Sequence, residues 1–466
     1  MRLPEDSPFV FERHGRSVAL IGADSTLTYE DLSRSVDTAA RDLSGDDLVA
    51  VVAAGDLESL LAYLTCQRAG RPVLLVDDRL PEDRRAELYR RYLVSVVFDG
   101  RWCRLAASGP ETHPDLALLL STSGSTGEPK LVRLSREAVS ANASSIARYL
   151  SLGIHDVAIT SLPFHYSYGL SVLHSHLLVG GSVVITDLAV TQREFWDLMK
   201  SGGVSNLAGV PVMYDWMRRL RIEQMELPAL RMLTQAGGRL APESVRWWAE
   251  TGRKKGWEFF VMYGQTEATA RMAYLPPRQA IEHADSIGVP IPGGSFNLVG
   301  DDGESIDESD REGELVYSGP NVMMGYAMGA ADLARGDDMR GILRTGDIAI
   351  RNPEGLYRIV GRRSRFLKVF GKRVALDYVE KLLADRGFTA VVTGRDDCLI
   401  VVAGDTKAAD AAATAVAELV GVHRSVVNPL PMAETPRTSS GKLNYAEIIA
   451  VFDRRRQDAH SAGRNR

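Results

Sequence analysis

The chain has 466 residues, 45% of them hydrophobic and 25% charged, with a net charge of −5. That length can bury a sizeable core and exceeds one simple domain, so two or three structural units are expected. The mild acidity excludes the basic footprint of a nucleic-acid binder, and the arginines of the tail (Arg454, Arg455, Arg456, Arg464, Arg466) read as solvated charge.

Cys66, Cys103 and Cys398 lie far apart without metal-ligand spacing, which fits reduced thiols. The N-terminus is acidic and has no apolar core, unlike a signal peptide. No stretch approaches the apolar run of about 20 residues that spans a bilayer. A cytoplasmic protein with no membrane partner is therefore expected.

In chain order, Leu48–Ala53 reads as a buried strand. Asp56–Ala69 reads as a helix, because Leu57, Leu60, Leu61 and Leu64 recur at helical spacing. Pro72–Val76 is the next strand, and Pro81–Tyr92 a charged helix with acidic residues in its first turn. The rhythm returns at Val157–Leu162 with Leu170–Leu178, and at Ser182–Asp187 with Thr191–Lys200. Such alternation predicts mainly parallel sheets covered by helices.

From Pro290 to Arg358 the texture turns to Gly, Pro and Asp with short alternating runs, Gly313–Ser318 and Leu356–Val360, which predicts a β-rich subdomain. After Gly361 a basic stretch leads into a compact pattern: a helix at Leu376–Ala384, strands at Ala390–Thr393 and Leu399–Ala403, and a helix at Thr406–Leu419. The expected fold is thus α/β. A large N-terminal domain of mainly parallel sheets covered by helices, with a β-rich subdomain, occupies residues 1–361. A small α+β C-terminal domain, joined by a hinge, occupies residues 362–466.

The strongest local signal is Leu118–Leu131, where an apolar strand runs into Ser121-Thr122-Ser123-Gly124-Ser125-Thr126-Gly127 and then Glu128-Pro129-Lys130. Glycines bring backbone N–H groups close to a ligand, hydroxyls add donors and the lysine adds positive charge, a combination suited to a polyphosphate. The nucleotide-hydrolase loop needs Gly-Lys followed by Ser or Thr. Here two residues separate Gly127 from Lys130 and Leu131 follows, so that class is not expected.

This loop resembles the Ser/Thr/Gly-rich signature of the adenylate-forming superfamily of acyl-CoA synthetases, luciferases and nonribosomal-peptide adenylation domains. Further segments match in the expected order. Gln235-Ala236-Gly237-Gly238-Arg239 is similar to the glycine-rich loop beside adenine, Tyr263-Gly264-Gln265-Thr266-Glu267-Ala268 to the YGxTE segment, Thr345-Gly346-Asp347 to the TGD segment, Gly361-Arg362-Arg363 to the hinge, and Pro436–Lys442 to the catalytic-lysine loop.

The resemblance implies roles. Tyr263 and Gly264 would line adenine, Thr266 would contact the α-phosphate and Glu267 would hold Mg²⁺. Asp347 and Arg362 would reach the ribose. Lys442 would bridge the substrate carboxylate and the α-phosphate. Ser364 stands where the family usually has Asp or Lys as the pivot of the C-terminal domain, and Ala375 replaces a usual acidic residue.

The implied activity is ATP- and Mg²⁺-dependent conversion of a carboxylic acid to an acyl-adenylate, then acyl transfer to a thiol. About 20 residues follow Lys442, too few for a carrier domain, so the acceptor is expected to be CoA or an acyl or peptidyl carrier protein in trans. Amino-acid-activating members commonly carry Asp after the Phe of the segment Ser161–Gly169, where His165 stands here. That points away from an α-amino acid and toward an acyl or aryl acid with a neutral tail. The acid pocket would be formed by His165, Tyr168, Gly209, Val210, Ala236 and Ala268, as an apolar and aromatic wall. A ligase with a nitrogen or oxygen acceptor, and a non-catalytic nucleotide- or acyl-AMP-binding protein, remain as alternatives.

Overall fold

A computed structural model describes residues 7–43, 47–121, 130–369, 372–437 and 443–463. The chain divides into two compact units, one drawing on Met1–Thr122, Pro129–Phe296 and Tyr317–Leu343, the other on Asn297–Val316 and Arg344–Arg466.

The first unit holds two large sheets whose centres are parallel and whose edges are antiparallel. One has the spatial order Val18–Ile21's neighbours Ser182–Val184, Val157–Ile159, Asn206–Gly209, Met232–Gln235 and Glu258–Tyr263, all joined in parallel. Thr26–Thr28 closes one edge, and Ala273–Leu275 with Val289–Pro290 the other, in antiparallel pairing. The second sheet has a parallel core of Val96–Phe98, Val49–Ala53, Val73–Asp77 and Leu116–Ser121. All five residues of Val49–Ala53 are buried, as expected of a strand covered on both faces.

Helices follow the strands much as the apolar spacing predicts. Leu57–Arg68 starts at Asp56, whose carboxylate accepts from the Ser59 N–H at 2.8 Å, and Arg136–Tyr149 starts at Ser135 in the same way. Ser167–Val179 ends at Gly180, which takes the left-handed conformation.

In the second unit, a sheet of spatial order Ser295–Val299, Gly313–Ser318, Ile342–Arg351 and Tyr357–Arg362 fulfils the β-rich expectation. The C-terminal part packs Leu376–Asp385 and Thr406–Val420 against a three-stranded sheet of Val391–Arg395, Cys398–Ala403 and Val427–Pro431. Among the described residues no helix is long and apolar enough to cross a membrane.

Candidate active site

The strand Glu258–Tyr263 ends in a turn that carries Thr266 and Glu267. Close approach of the chain to itself dictates the local sequence. A Cβ on Gly264 would sit 1.7 Å from the Ala270 carbonyl oxygen, so no side chain fits there. Thr269 and Ala270 hold positive φ, 59° and 119°, a conformation that costs a residue with a side chain.

Buried Asn321 offsets that cost. Its Nδ2 donates to the carbonyls of Ala268 at 2.8 Å and Arg271 at 3.1 Å, and its Oδ1 accepts from the Tyr317 hydroxyl at 2.7 Å. Thr269 Oγ1 donates to the Asn321 carbonyl at 2.6 Å, and Asn142 Nδ2 adds a second bond to the Arg271 carbonyl. The turn is thereby fixed from three directions.

On its solvent side, Glu267 Oε1 accepts from the Tyr326 hydroxyl at 2.8 Å. The ammonium of Lys130 lies 3.7 Å from the centroid of the same ring. Burial, with the Glu267 carboxylate beside it, holds the Tyr326 phenol well above its usual value, so it remains a donor. Tyr326 joins the two because Gly325–Ala327 pairs with Leu131–Ser135, setting Tyr326 opposite Val132. Thr266 Oγ1 and Ser167 Oγ lie 3.2 Å apart, tying the turn to the first residue of Ser167–Val179.

The glycine-rich segment 122–129 lies outside the described residues. Its described flanks are antiparallel neighbours, Ser121 opposite Leu131, and Lys130 lies over the Tyr326 ring. Tyr263 is half-buried, its ring centroid 6.4 Å from that of Phe296. Gly237 has φ +82°, and a Cβ there would stand 2.5 Å from the Tyr166 hydroxyl; Gly238 and Arg239 are exposed.

The acid-pocket residues separate. Tyr168, Val210 and Ala236 are buried between Ser167–Val179 and the strands beneath it, and the Tyr168 hydroxyl donates to the Thr234 carbonyl at 2.7 Å. Gly209 faces the ring of Tyr214, and Ala268 is wholly buried in the main core beside Tyr317, Val322 and Met323. His165 turns its Nε2 toward Asp77 Oδ2 at 3.5 Å. Burial holds that imidazole below its usual value, partly opposed by Asp77.

Two cavities adjoin this layer. The larger is mainly apolar, lined by Leu60, Ile159, Leu162, Phe164, Leu173 and Ile185 among others. The smaller shares Val172 and Ala208 with it but is lined by Arg271, His176, Asn206, Thr234 and Ser175. The wall is therefore not uniformly apolar, because every second residue of the strands at Asn206 and Met232 returns to this face.

In the second unit, Asp347 and Arg362 are direct cross-strand partners, with Arg362 Nε donating to Asp347 Oδ1 at 2.7 Å. Asp347 is buried, while the Arg362 side chain is half exposed. Buried Glu314 takes hydrogen bonds from both Arg344 and Arg363 at 2.6 Å, a clamp with no signal in the sequence.

Ser364 follows Arg363 and precedes buried Arg365, which pairs with Asp377 and Glu380 and lies 4.3 Å from the Tyr445 ring centroid. Lys442 lies outside the described residues. The described residues on either side of it are joined by an Arg437–Leu443 bridge and by the Asn444 N–H donating to the Pro436 carbonyl at 2.8 Å.

Among the described residues no group of three or more His, Cys, Asp or Glu could hold a metal ion. A lone carboxylate still suits Mg²⁺, which takes one or two carboxylates with substrate phosphates and keeps several waters. Glu267, half-buried and oriented by Tyr326, offers that oxygen.

Residues 101–327 match the sequence family described as AMP-binding enzyme. The chain carries this match over just under half of its length. It is similar to an indoleacetate–CoA ligase of Aromatoleum aromaticum, 27% identical over 361 residues, covering 74% of this chain and 69% of that protein. It is also similar to a 2-succinylbenzoate–CoA ligase of Bacillus pumilus, 26% identical over 410 residues and covering 82% of each.

Among solved structures, the O-succinylbenzoate coenzyme A synthetase of Bacillus subtilis in complex with ATP and magnesium superposes with a TM-score of 0.75. It is 20% identical, with 94% of this chain and 98% of that one covered. At that identity the likeness establishes the fold, which is the α/β architecture expected from the sequence.

Proposed function

We propose that the protein is an acid–thiol ligase that activates an acyl or aryl acid, not an α-amino acid, as its adenylate. The observation that carries this reading is the meeting of Glu267 and Lys130 on Tyr326, with Thr266 beside them.

A carboxylate is a poor electrophile because oxide would have to leave. In the first step a carboxylate oxygen bonds to the α-phosphorus of ATP, and the bond to the bridging oxygen breaks to release pyrophosphate. In the second step a thiolate bonds to the acyl carbon, and AMP departs with its oxygen. Both steps need positioning and cations rather than a protein nucleophile.

Thr266 Oγ1 would donate to the α-phosphate from a turn that Asn321 keeps rigid. Lys130 would neutralise the outer phosphates. Asp347 would accept from the ribose hydroxyls, held in place by Arg362. Lys442 would bring its ammonium to the oxygens that gather charge during the first attack. Glu267 would hold Mg²⁺, which when bound with ATP neutralises charge on the departing pyrophosphate.

Residues 362–466 would turn about Ser364. The flanking arginines favour that position, since Arg363 is anchored on Glu314 and Arg365 on Asp377 and Glu380, leaving one residue between two fixed points. CoA is favoured as acceptor over a carrier protein because the relatives described above are named as CoA ligases.

The test is pyrophosphate release from Mg-ATP across aliphatic, aryl and amino acids, with and without CoA. Acid-dependent release with an acyl-CoA product is the expected result. Release without a thioester would move the acceptor to a carrier protein or another nucleophile. No release with any acid would overturn the reading.

A further inference from the structure

Four residues beyond Glu267, the chain buries a cation to which no described residue supplies a counter-ion. Arg271 is 2% exposed, and among the described residues no carboxylate forms an ion pair with it. Its Nη1 donates to the Tyr149 hydroxyl and the Met262 sulfur, each at 3.0 Å. Its guanidinium lies 4.8 Å from the centroid of the Tyr168 ring, and its Nε has no partner. Hydroxyl, sulfur and ring are neutral, so the positive charge is uncompensated among the described residues.

That charge borders the smaller cavity. Opposite it stand Asn206 and His176, with Nδ2 and Nε2 2.8 Å apart, and His176 Nδ1 lies 2.8 Å from the Val172 carbonyl. A carbonyl can only accept, so Nδ1 carries the proton and Nε2 accepts from the amide. The imidazole is thus neutral, and burial pushes it down to about 4. The cavity wall therefore has one full charge, and it is positive.

The cavity lies on the same sheet face as the acid's expected place. Asn206 and Ala208 share a strand face with Val210, as Met232 and Thr234 do with Ala236. Tyr168, Val172, Ser175 and His176 lie on one stripe of the helix above. A chain entering along Tyr168, Val210 and Ala236 would reach Arg271 at its far end.

We propose that the acid activated here carries a second anionic group, a carboxylate or a similarly compact oxyanion, which pairs with Arg271. This rests on the ligase reading above and replaces the neutral tail expected from His165. A planar guanidinium with free N–H groups matches a carboxylate in a way no uncharged tail can.

The alternative occupant is a buried water bridging Arg271 Nε and Asn206 Oδ1, which also lacks a partner. It requires no preference for charged tails.

The experiment compares straight-chain dicarboxylic acids of three to six carbons with monocarboxylic acids of equal length, by pyrophosphate release from the wild-type protein. The expected result is a preference of 100-fold or more in kcat/KM for a dicarboxylic acid. In Arg271→Gln that ratio should fall to a few-fold, and in Arg271→Lys it should keep its sign.

Release with monocarboxylic acids but no preference for dicarboxylic acids would overturn this inference and leave the ligase reading standing. Release with no acid at all would overturn both. Because the wild-type comparison already decides, a variant that fails to fold does not protect the proposal.

Discussion

Two buried arginines of the same unit show how differently one side chain can be used. Arg133 has no exposed surface, and its Nη2 bonds Asp338 at 2.7 Å and the Met324 carbonyl at 3.0 Å; Nη1 bonds the carbonyls of Arg335 and Gly336. Its charge is compensated within the chain, and it pins the Gly325–Ala327 strand that carries Tyr326. Arg271 is almost as buried but meets a phenol, a sulfur and a ring. A buried charge left unpaired costs several kcal/mol. The first arginine holds the fold, whereas the second spends fold stability at a place that borders a cavity.

The sharpest way to break this comparison is to remove each charge. Arg133→Met should destabilise the protein by roughly 3 kcal/mol, because it strips three carbonyls of a donor and leaves Asp338 with Arg335 alone. Arg271→Met should change stability by no more than about 1 kcal/mol, since the desolvation cost disappears with the charge. Denaturant unfolding of both variants measures this, and equal losses would remove the distinction.

Buried histidines extend the comparison to groups that avoid charge altogether. Burial pushes His174 down to about 3 and His176 to about 4, so the unfolded chain binds protons more readily than the folded one. The stability this gives is complete above about pH 6.5 and is lost as pH falls through 6.5 toward 4. His176 alone should contribute roughly 2 kcal/mol of that loss by pH 5. Thermal unfolding midpoints across this window should fall, and His176→Asn should flatten the slope.

Asn321 is the fully paired polar counterpart. Asn321→Ala should cost roughly 2 kcal/mol by leaving the Ala268 carbonyl and the Tyr317 hydroxyl unmatched and the Arg271 carbonyl with Asn142 alone. It should also slow pyrophosphate release by loosening Thr266 and Glu267, and an unchanged kcat would show that the turn holds itself.

The smallest effect belongs to Tyr326→Phe, which keeps the ring under Lys130 and removes only the donor to Glu267. The Mg²⁺ concentration for half-maximal activity should rise about tenfold. No shift would separate Tyr326 from the metal role proposed for Glu267.

The expected strands and helices of the first unit were legible because each is a continuous apolar run or a 3.6-residue stripe, and both patterns are local. Tyr263–Glu267 and Asp347 with Arg362 were legible as motifs. Val157–Leu162 was read too long, since the strand stops at Ile159 before the loop that lifts His165 toward Asp77.

By itself the sequence determined the α/β alternation, the β-rich insert and the order of the motif segments, all properties of neighbours along the chain. Only the tertiary structure decided that Tyr326 joins Lys130 to Glu267, that Asn321 braces their turn, and that Glu314 clamps two arginines. The structure alone also showed that Arg271 borders a cavity with no counter-ion among the described residues. Each depends on strand register or helix packing between distant segments, and a lone Tyr, Asn, Glu or Arg carries no trace of which partner the fold will bring to it.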